Sequence, residues 1–509
     1  AADGQQNTYS CEPCPFGGIC KGAASADSES NTIAQDGVYA KTSMWGLRKG
    51  TRVQFYQCPV GYCCPDESAE CRYNYCDGGR RGLLCSECPP GKGQQLFTSG
   101  CGANSDCSWG SATFAVLLVV ASVILAFLFV SLPSKDPDAA QQSGLLGVTL
   151  FFYQAVPLVV SINFKDTLGR PMEIVLGAVN FVDSAGSSAS SGLCVTEDLS
   201  AAGKIAFRYT LPVTTAIALV VLFLCHRAAS PHLPDKHRFQ VHIYVEASVK
   251  FTTSMYTSLL LTSLEMLSCR SIDGEARWVW DARDKCYQPW QSGPFIVLFV
   301  LLPLPALTSW FSWRPSAEPS AIAHRVRNAL QGGFGDHCRY WLGVTLYRRL
   351  LLVLAFVQVQ DLNWRGILVT CLCVLFLSLN TVLRPLIQKG GRNRFTHKYE
   401  NLTLALLVFL ASSNMHTLTL TEEAVRGSIM LAHVLVWCQT LMVLVPVLAL
   451  PALLWHKRRQ QFADLREPRG LVSDTRIKED GAQFELELQC DSEYEPALTD
   501  LDGAQLCLC

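Results

Sequence analysis

Between Ala112 and Trp455 the apolar residues fall into runs of roughly 18 to 25 positions separated by short polar links, and outside that region the pattern stops. Such a run matches about 30 Å of hydrocarbon at about 1.5 Å of helical rise per residue. It predicts membrane-spanning helices over 112–132, 144–164, 204–225, 246–269, 293–313, 341–360, 366–387, 399–418 and 427–455. The expected fold is an all-α polytopic membrane protein of about nine transmembrane helices with a small N-terminal disulfide-rich extracellular module. Three parts follow: the module over 1–110, the helical bundle over 111–455, and a tail over 456–509.

Cysteine usage sets the compartment. Of 23 cysteines, twelve stand in the module: Cys11, Cys14, Cys20, Cys58, Cys63, Cys64, Cys71, Cys76, Cys85, Cys88, Cys101 and Cys107. An even count in a segment poor in aliphatic residues reads as a disulfide framework made in an oxidising compartment. Cys11-x-x-Cys14 and Cys85-x-x-Cys88 also have the spacing of zinc-binding thiolates, but eight further cysteines would then be left over, so no metal and no cofactor is expected.

Lys and Arg favour the cytosolic links. With the N-terminus outside, the inner links hold Arg227, Lys236, Arg238, Arg314, Arg325, Arg327, Arg339, Lys389, Arg392, Arg394 and Lys398, and the tail opens with Lys457, Arg458 and Arg459. Charge and redox chemistry agree on a surface membrane, N-terminus extracellular and C-terminus cytosolic. Cys269 and Cys286 then bracket an outer loop that a bridge would fix. Cys194, in the long loop 165–203, brings the outer cysteines to fifteen, so one is expected to be free or paired between chains. That loop also carries an apolar piece, Met172 to Val182, read as a surface or re-entrant helix. Because the chain opens at Ala1 without a leader-like segment, a removed signal peptide or a missing upstream portion is expected.

The net charge of −1 and the absence of a basic stripe give no reason to expect nucleic-acid binding. Phosphate-loop, serine-elbow, zinc-protease and kinase signatures are missing, and no enzymatic activity is expected.

The run CDGGRRGLLCSECPPGKGQQLFTSGCGANSDC, from Cys76 to Cys107, resembles the cysteine-rich module that precedes multi-span regions in many protist, algal and invertebrate membrane proteins. CEPCPFGGIC, from Cys11 to Cys20, is similar to the EGF-like and ephrin-receptor-like repeats of the same proteins. The membrane part resembles that group too. Asp273-Gly274 lies between Cys269 and Cys286, Tyr340-Trp341 precedes Arg348-Arg349, and Arg384-Pro385 precedes Glu400-Asn401. More remotely it resembles the fungal transient-receptor-potential-like family. The resemblance implies a cell-surface protein acting as a cation channel or channel-like sensor, with the module as its outer recognition element. The alternative is a non-conducting membrane receptor or adhesion and anchor protein.

Ionisable groups inside spans are costly in hydrocarbon and mark functional candidates. Glu246 and Lys250, four apart, share a helix face and can neutralise one another. Arg348 and Arg349 stand about eleven residues before the outer loop at Asp361, too few to span, so either they lie within the bilayer or they snorkel. With Glu400 and Asn401 these residues form the candidate conduction path or intramembrane polar network. Arg208 reads as an interfacial anchor and Glu265 as a group at the outer headgroups. Gln154, Asn163, His433 and Gln439 read as hydrogen-bonding contacts between helices, and Pro157 as a kink.

A pore-loop channel needs a filter between its last two spans, and the link carrying Glu422 and Glu423 is only about ten residues long. The tail opens on a basic cluster, His456 to Arg459, then turns acidic, as a disordered or docking segment does. Its end, Cys507-Leu508-Cys509, offers Cys507 and Cys509 for lipidation. The partners expected are the lipid bilayer, an extracellular protein or glycan ligand, a cytosolic partner of the tail, and further copies of the chain as a homo-oligomer.

Overall fold

The structure, a computed structural model, describes residues 14–20, 38–49, 52–59, 61–64, 71–96, 98–107, 110–131, 137–159, 193–232, 239–313, 326–327, 330–331, 334, 336–359, 361–386, 394–419, 438–439 and 441–446. All of them belong to one unit, residues 1–451, and the tail from Ala452 onward is a separate one. Cys11, Asn163, Met172 to Val182, Glu422, Glu423, His433, Cys507, Cys509 and the acidic tail lie outside the described residues.

Among its described residues the module contains three antiparallel pairs of strands. β1 (Gly18–Cys20) pairs with β2 (Val38–Ala40), β3 (Met44–Lys49) with β4 (Arg52–Gln57), and β5 (Lys92–Gln94) with β6 (Cys101–Ala103). Two-stranded ribbons this short have no face broad enough to bury a core, so covalent staples hold them. The staples are local: Cys14–Cys20, Cys58–Cys63, Cys64–Cys71, Cys76–Cys85 and Cys88–Cys101. These bridges overturn the zinc alternative at Cys14, Cys85 and Cys88, since a sulfur in a disulfide is no thiolate ligand. Among the described residues no cluster of three or more His, Cys, Asp or Glu could hold a metal. Nor is Cys194 the odd thiol. It bonds to Cys107, and the seven bridges take fourteen of the fifteen cysteines expected outside, the other, Cys11, lying outside the described residues.

The helices follow the apolar runs: α1 (Gly110–Ser131), α2 (Pro137–Val159), α3 (Ala201–Ala206), α4 (Thr210–Ala229), α5 (Val241–Met266), α6 (Ser292–Leu301), α7 (Leu304–Trp313), α8 (Trp341–Gln358), α9 (Leu362–Leu383) and α10 (Arg394–Thr419). The expected fifth span is two helices, because Pro303 has no N–H with which to continue α6. Among the described residues five stretches are long and apolar enough to cross a membrane: Ser111–Ser131, Ala201–His232, Pro289–Trp313, Trp341–Gln358 and Trp364–Leu383. The count of nine is not confirmed on this measure. α2 is apolar only over Gly147–Val159, α5 carries Glu246, Lys250 and Glu265, α10 carries His397, Lys398 and Glu400, and the ninth run is described only at 438–439 and 441–446.

These polar helices are the inner ones. α8 packs against α2, α5, α7 and α9, and α10 packs against α2 and α9. Phe152 and Val156 of α2, Leu260 of α5, Leu346 and Val353 of α8, Phe376 of α9 and Leu407 of α10 share one buried core. The most apolar helix turns outward: on α1, Val116, Val120, Ile124 and Phe127 are each about half exposed or more. Apolar surface turned outward over polar surface turned inward is what hydrocarbon selects.

The module sits on two loops of the bundle. One is the hairpin of β7 (Cys269–Ile272) and β8 (Glu275–Trp278), closed by the Cys269–Cys286 bridge. Its Ile272 and Ala282 complete a core with Trp45, Tyr62, Cys63 and Leu84 of the module. The other is the segment before α3, where Leu96 and Leu193 exchange backbone hydrogen bonds of 2.9 and 3.2 Å beside the Cys107–Cys194 bridge.

Candidate functional site

Trp341 opens α8, and that start carries Arg348 and Arg349 into the middle of the helix, where both are buried, 2% and 5% exposed. Arg348 donates through Nη2 to Glu400 Oε1 of α10 at 2.8 Å and to Thr345 Oγ1 at 3.1 Å. Arg349 turns the other way. Its Nη1 donates to the Thr253 carbonyl at 2.6 Å, to Gln154 Oε1 at 3.1 Å and to Thr257 Oγ1 at 3.4 Å. Gln154 in turn donates to the Ser254 carbonyl at 2.8 Å. Both guanidinium groups lie over the Phe151 ring, at 5.6 and 5.3 Å, and Arg348 also lies 5.7 Å from the Trp341 ring.

The candidate residues therefore separate into three groups. Arg348, Arg349 and Glu400 meet in one network. Asn401, one residue on, faces α9 instead, accepting from Asn380 at 2.8 Å and contacting His397 at 3.3 Å. Glu246 and Lys250 form their own ion pair of 2.8 Å on α5, both partly exposed. The network's threonines and Gln154 carry more than the helix-to-helix contact expected of Gln154. A signal for the threonines is present in the chain. Glu246, Lys250, Thr253 and Thr257 are spaced four, three and four apart, which is one polar stripe on a helix of 3.6 residues per turn.

Beneath the module a second polar contact joins residues that no spacing in the chain pairs. Arg208 donates to Glu265, both side chains buried, under the Trp280 ring. Tyr209 and Ser263 add a hydroxyl contact of 2.7 Å between the same helices. Above it, Arg270 donates to the Gln57 carbonyl at 2.7 Å and to Gln57 Oε1 at 3.2 Å, and burial lowers its guanidinium pKa. Lys49 and Asp273 pair at 2.7 Å on the surface, and this contact lowers the Asp273 carboxyl pKa and raises that of Lys49.

Apolar helices that face outward, a polar interior and a disulfide-bonded outer module together define a polytopic membrane protein with an N-terminal region made in an oxidising compartment. Comparison with family models, curated proteins and solved structures finds no match to the chain.

Proposed function

We propose that the protein is a cell-surface membrane sensor, in which the cysteine-rich module recognises an extracellular protein or glycan and acts on the helices beneath it. The observation that carries this reading is the shared core of module and bundle loop, Trp45, Tyr62 and Leu84 with Ile272 and Ala282. A module that served only to adhere could hang on a free linker. This one is packed onto the loop joining α5 to α6, and α5 carries both Glu265 and the threonines that meet Arg349.

The reading takes the chain through the membrane nine times, N-terminus outside, supported by the nine apolar runs and by the Lys and Arg of the links expected inside. In the channel version, implied by the resemblance to transient-receptor-potential-like proteins, cations would not run beside α8. Two guanidinium groups against one carboxylate repel them there. The tail recruits a cytosolic partner, and lipid groups on Cys507 and Cys509 would hold it at the bilayer.

The test is hydrogen exchange on the full chain in nanodiscs, comparing wild type with Tyr62→Ala. The sensor reading expects faster exchange in α5 around Thr253 to Thr257 as well as in the module. A change confined to the module would reduce the protein to an anchor. Flux measurements in liposomes with Na⁺, K⁺ and Ca²⁺ gradients then separate a conducting sensor from a silent receptor.

A further inference from the structure

The buried network has more donors than its own acceptors can take. Among the described residues Arg348 Nε and Nη1, Arg349 Nε, Trp341 Nε1 and the Tyr256 hydroxyl are all buried without a hydrogen-bond partner. All four residues are at most 5% exposed. Charge tells the same story: Glu400 answers Arg348, and the groups that Arg349 touches, Gln154, Thr253 and Thr257, are neutral.

An uncompensated buried cation is among the most destabilising features a fold can carry, and each orphaned donor adds its own desolvation cost. Arginine is also the side chain whose planar fork matches a carboxylate or phosphate with two parallel hydrogen bonds. The unused donors belong to two adjacent arginines over one ring, Phe151, and a Trp on the same helix.

We propose that this network is a binding site for a single oxyanion, a carboxylate or phosphate group, held by Arg349 and the free edge of Arg348 with Trp341 and Tyr256 as neutral donors. Glu400 positions Arg348 and keeps the site from attracting more than one negative charge. Arg348 lies seven residues from Trp341 and ten from Gln358, about 11 and 15 Å of helix, so the site lies between the start of the pass and its middle. A free solute anion and a lipid headgroup share the chemistry that this site would recognise. The proposal rests on the bundle being embedded in a membrane but not on what the outer module recognises.

The test is direct binding to the purified full chain in phosphatidylcholine nanodiscs, by titration with inorganic phosphate and with succinate at constant ionic strength. Saturable binding of either at one site per chain is expected. Arg349→Gln should weaken it about tenfold or more, and Arg349→Lys less, because the charge is kept and the fork lost. Tyr256→Phe guards against a folding failure at Arg349. Its hydroxyl has no protein partner to lose, so the variant should fold as wild type and bind several-fold more weakly. Discs containing phosphatidylserine distinguish the source: if they abolish succinate binding, the site takes the headgroup. Folded wild type that binds neither probe, in discs where phosphatidylserine changes nothing, overturns the proposal, as does binding that Arg349→Gln and Tyr256→Phe leave unchanged.

Discussion

Cys107, the last cysteine before α1, is bonded to Cys194, the first described cysteine after α2, across 87 residues of chain. The bridge closes a loop that contains both helices, and it is the one covalent tie between the module and a later part of the chain among the described residues. Replacing both cysteines by serine should lower the stability of the module by about 2–4 kcal/mol. Thermal unfolding of the purified variant, followed through module tryptophans such as Trp45, measures it. An unchanged midpoint would mean that the hydrogen bonds of Leu96 to Leu193 and of Lys204 to the Thr98 carbonyl suffice.

Glu400→Ala should be far more damaging than removal of the whole Arg348–Glu400 pair. The single substitution leaves a second buried guanidinium without a carboxylate, a loss of about 3–5 kcal/mol, whereas paired Arg348→Met and Glu400→Met removes both charges and should recover most of it. A double-mutant cycle on thermal unfolding gives the coupling. Additive effects would show that the two side chains are neighbours without interaction.

Gly343 fixes how closely α8 approaches α7. A Cβ there would stand 2.6 Å from the Pro305 carbonyl oxygen and 1.9 Å from Ser309 Oγ. Gly343→Ala should therefore cost about 1–3 kcal/mol by overpacking. Adding Ser309→Ala should not rescue it, because the backbone carbonyl cannot move aside as a side chain can. Rescue in a melting experiment would place the helices farther apart than they are.

The surface pair Lys49–Asp273 predicts a pH dependence of small size. Asp273 titrates below its ordinary 3.8, so its contribution is present above that value and lost as pH falls through the lower, folded value; Lys49 titrates above its ordinary 10.5, and its contribution is lost only as pH rises past the raised value. Docking of β3 and β4 should thus be level between about pH 5 and 9. Lys49→Ala should change it little, because both side chains are more than half exposed. Arg270→Ala, which empties a buried contact with Gln57, should loosen the same hairpin measurably in hydrogen exchange.

Much of this architecture is legible in the chain because hydrocarbon length imposes it. The runs over 112–132 and 341–360 became α1 and α8 to within two residues at either end. Among the spans that do not meet that measure of length and hydropathy, α5 and α10 carry charges that the interior uses, and α2 is apolar only over Gly147–Val159. Arg348 and Arg349 could be singled out because a guanidinium in a span has no neutral explanation. Their partners were harder. Glu400 is 52 residues away and Gln154 is 195, and no local spacing connects them. The pairing of Arg208 with Glu265 was hidden in the same way, each residue reading alone as a helix end near headgroups. Disulfide connectivity was open for a different reason. Bridges are chosen by where hairpins bring Cα atoms together, and only Cys107–Cys194 among those described joins distant parts of the chain.

The docking of the module on two loops has a mechanical side. Cys107 leads within a few residues into α1, Leu193 and Cys194 lead into α3 and α4, and the Cys269–Cys286 hairpin joins α5 to α6. One sulfur bridge and one hydrophobic seat thus anchor the module at separate places, the first beside the segment that leads into α3 and the second on the loop between α5 and α6, so the module has two footings on the bundle.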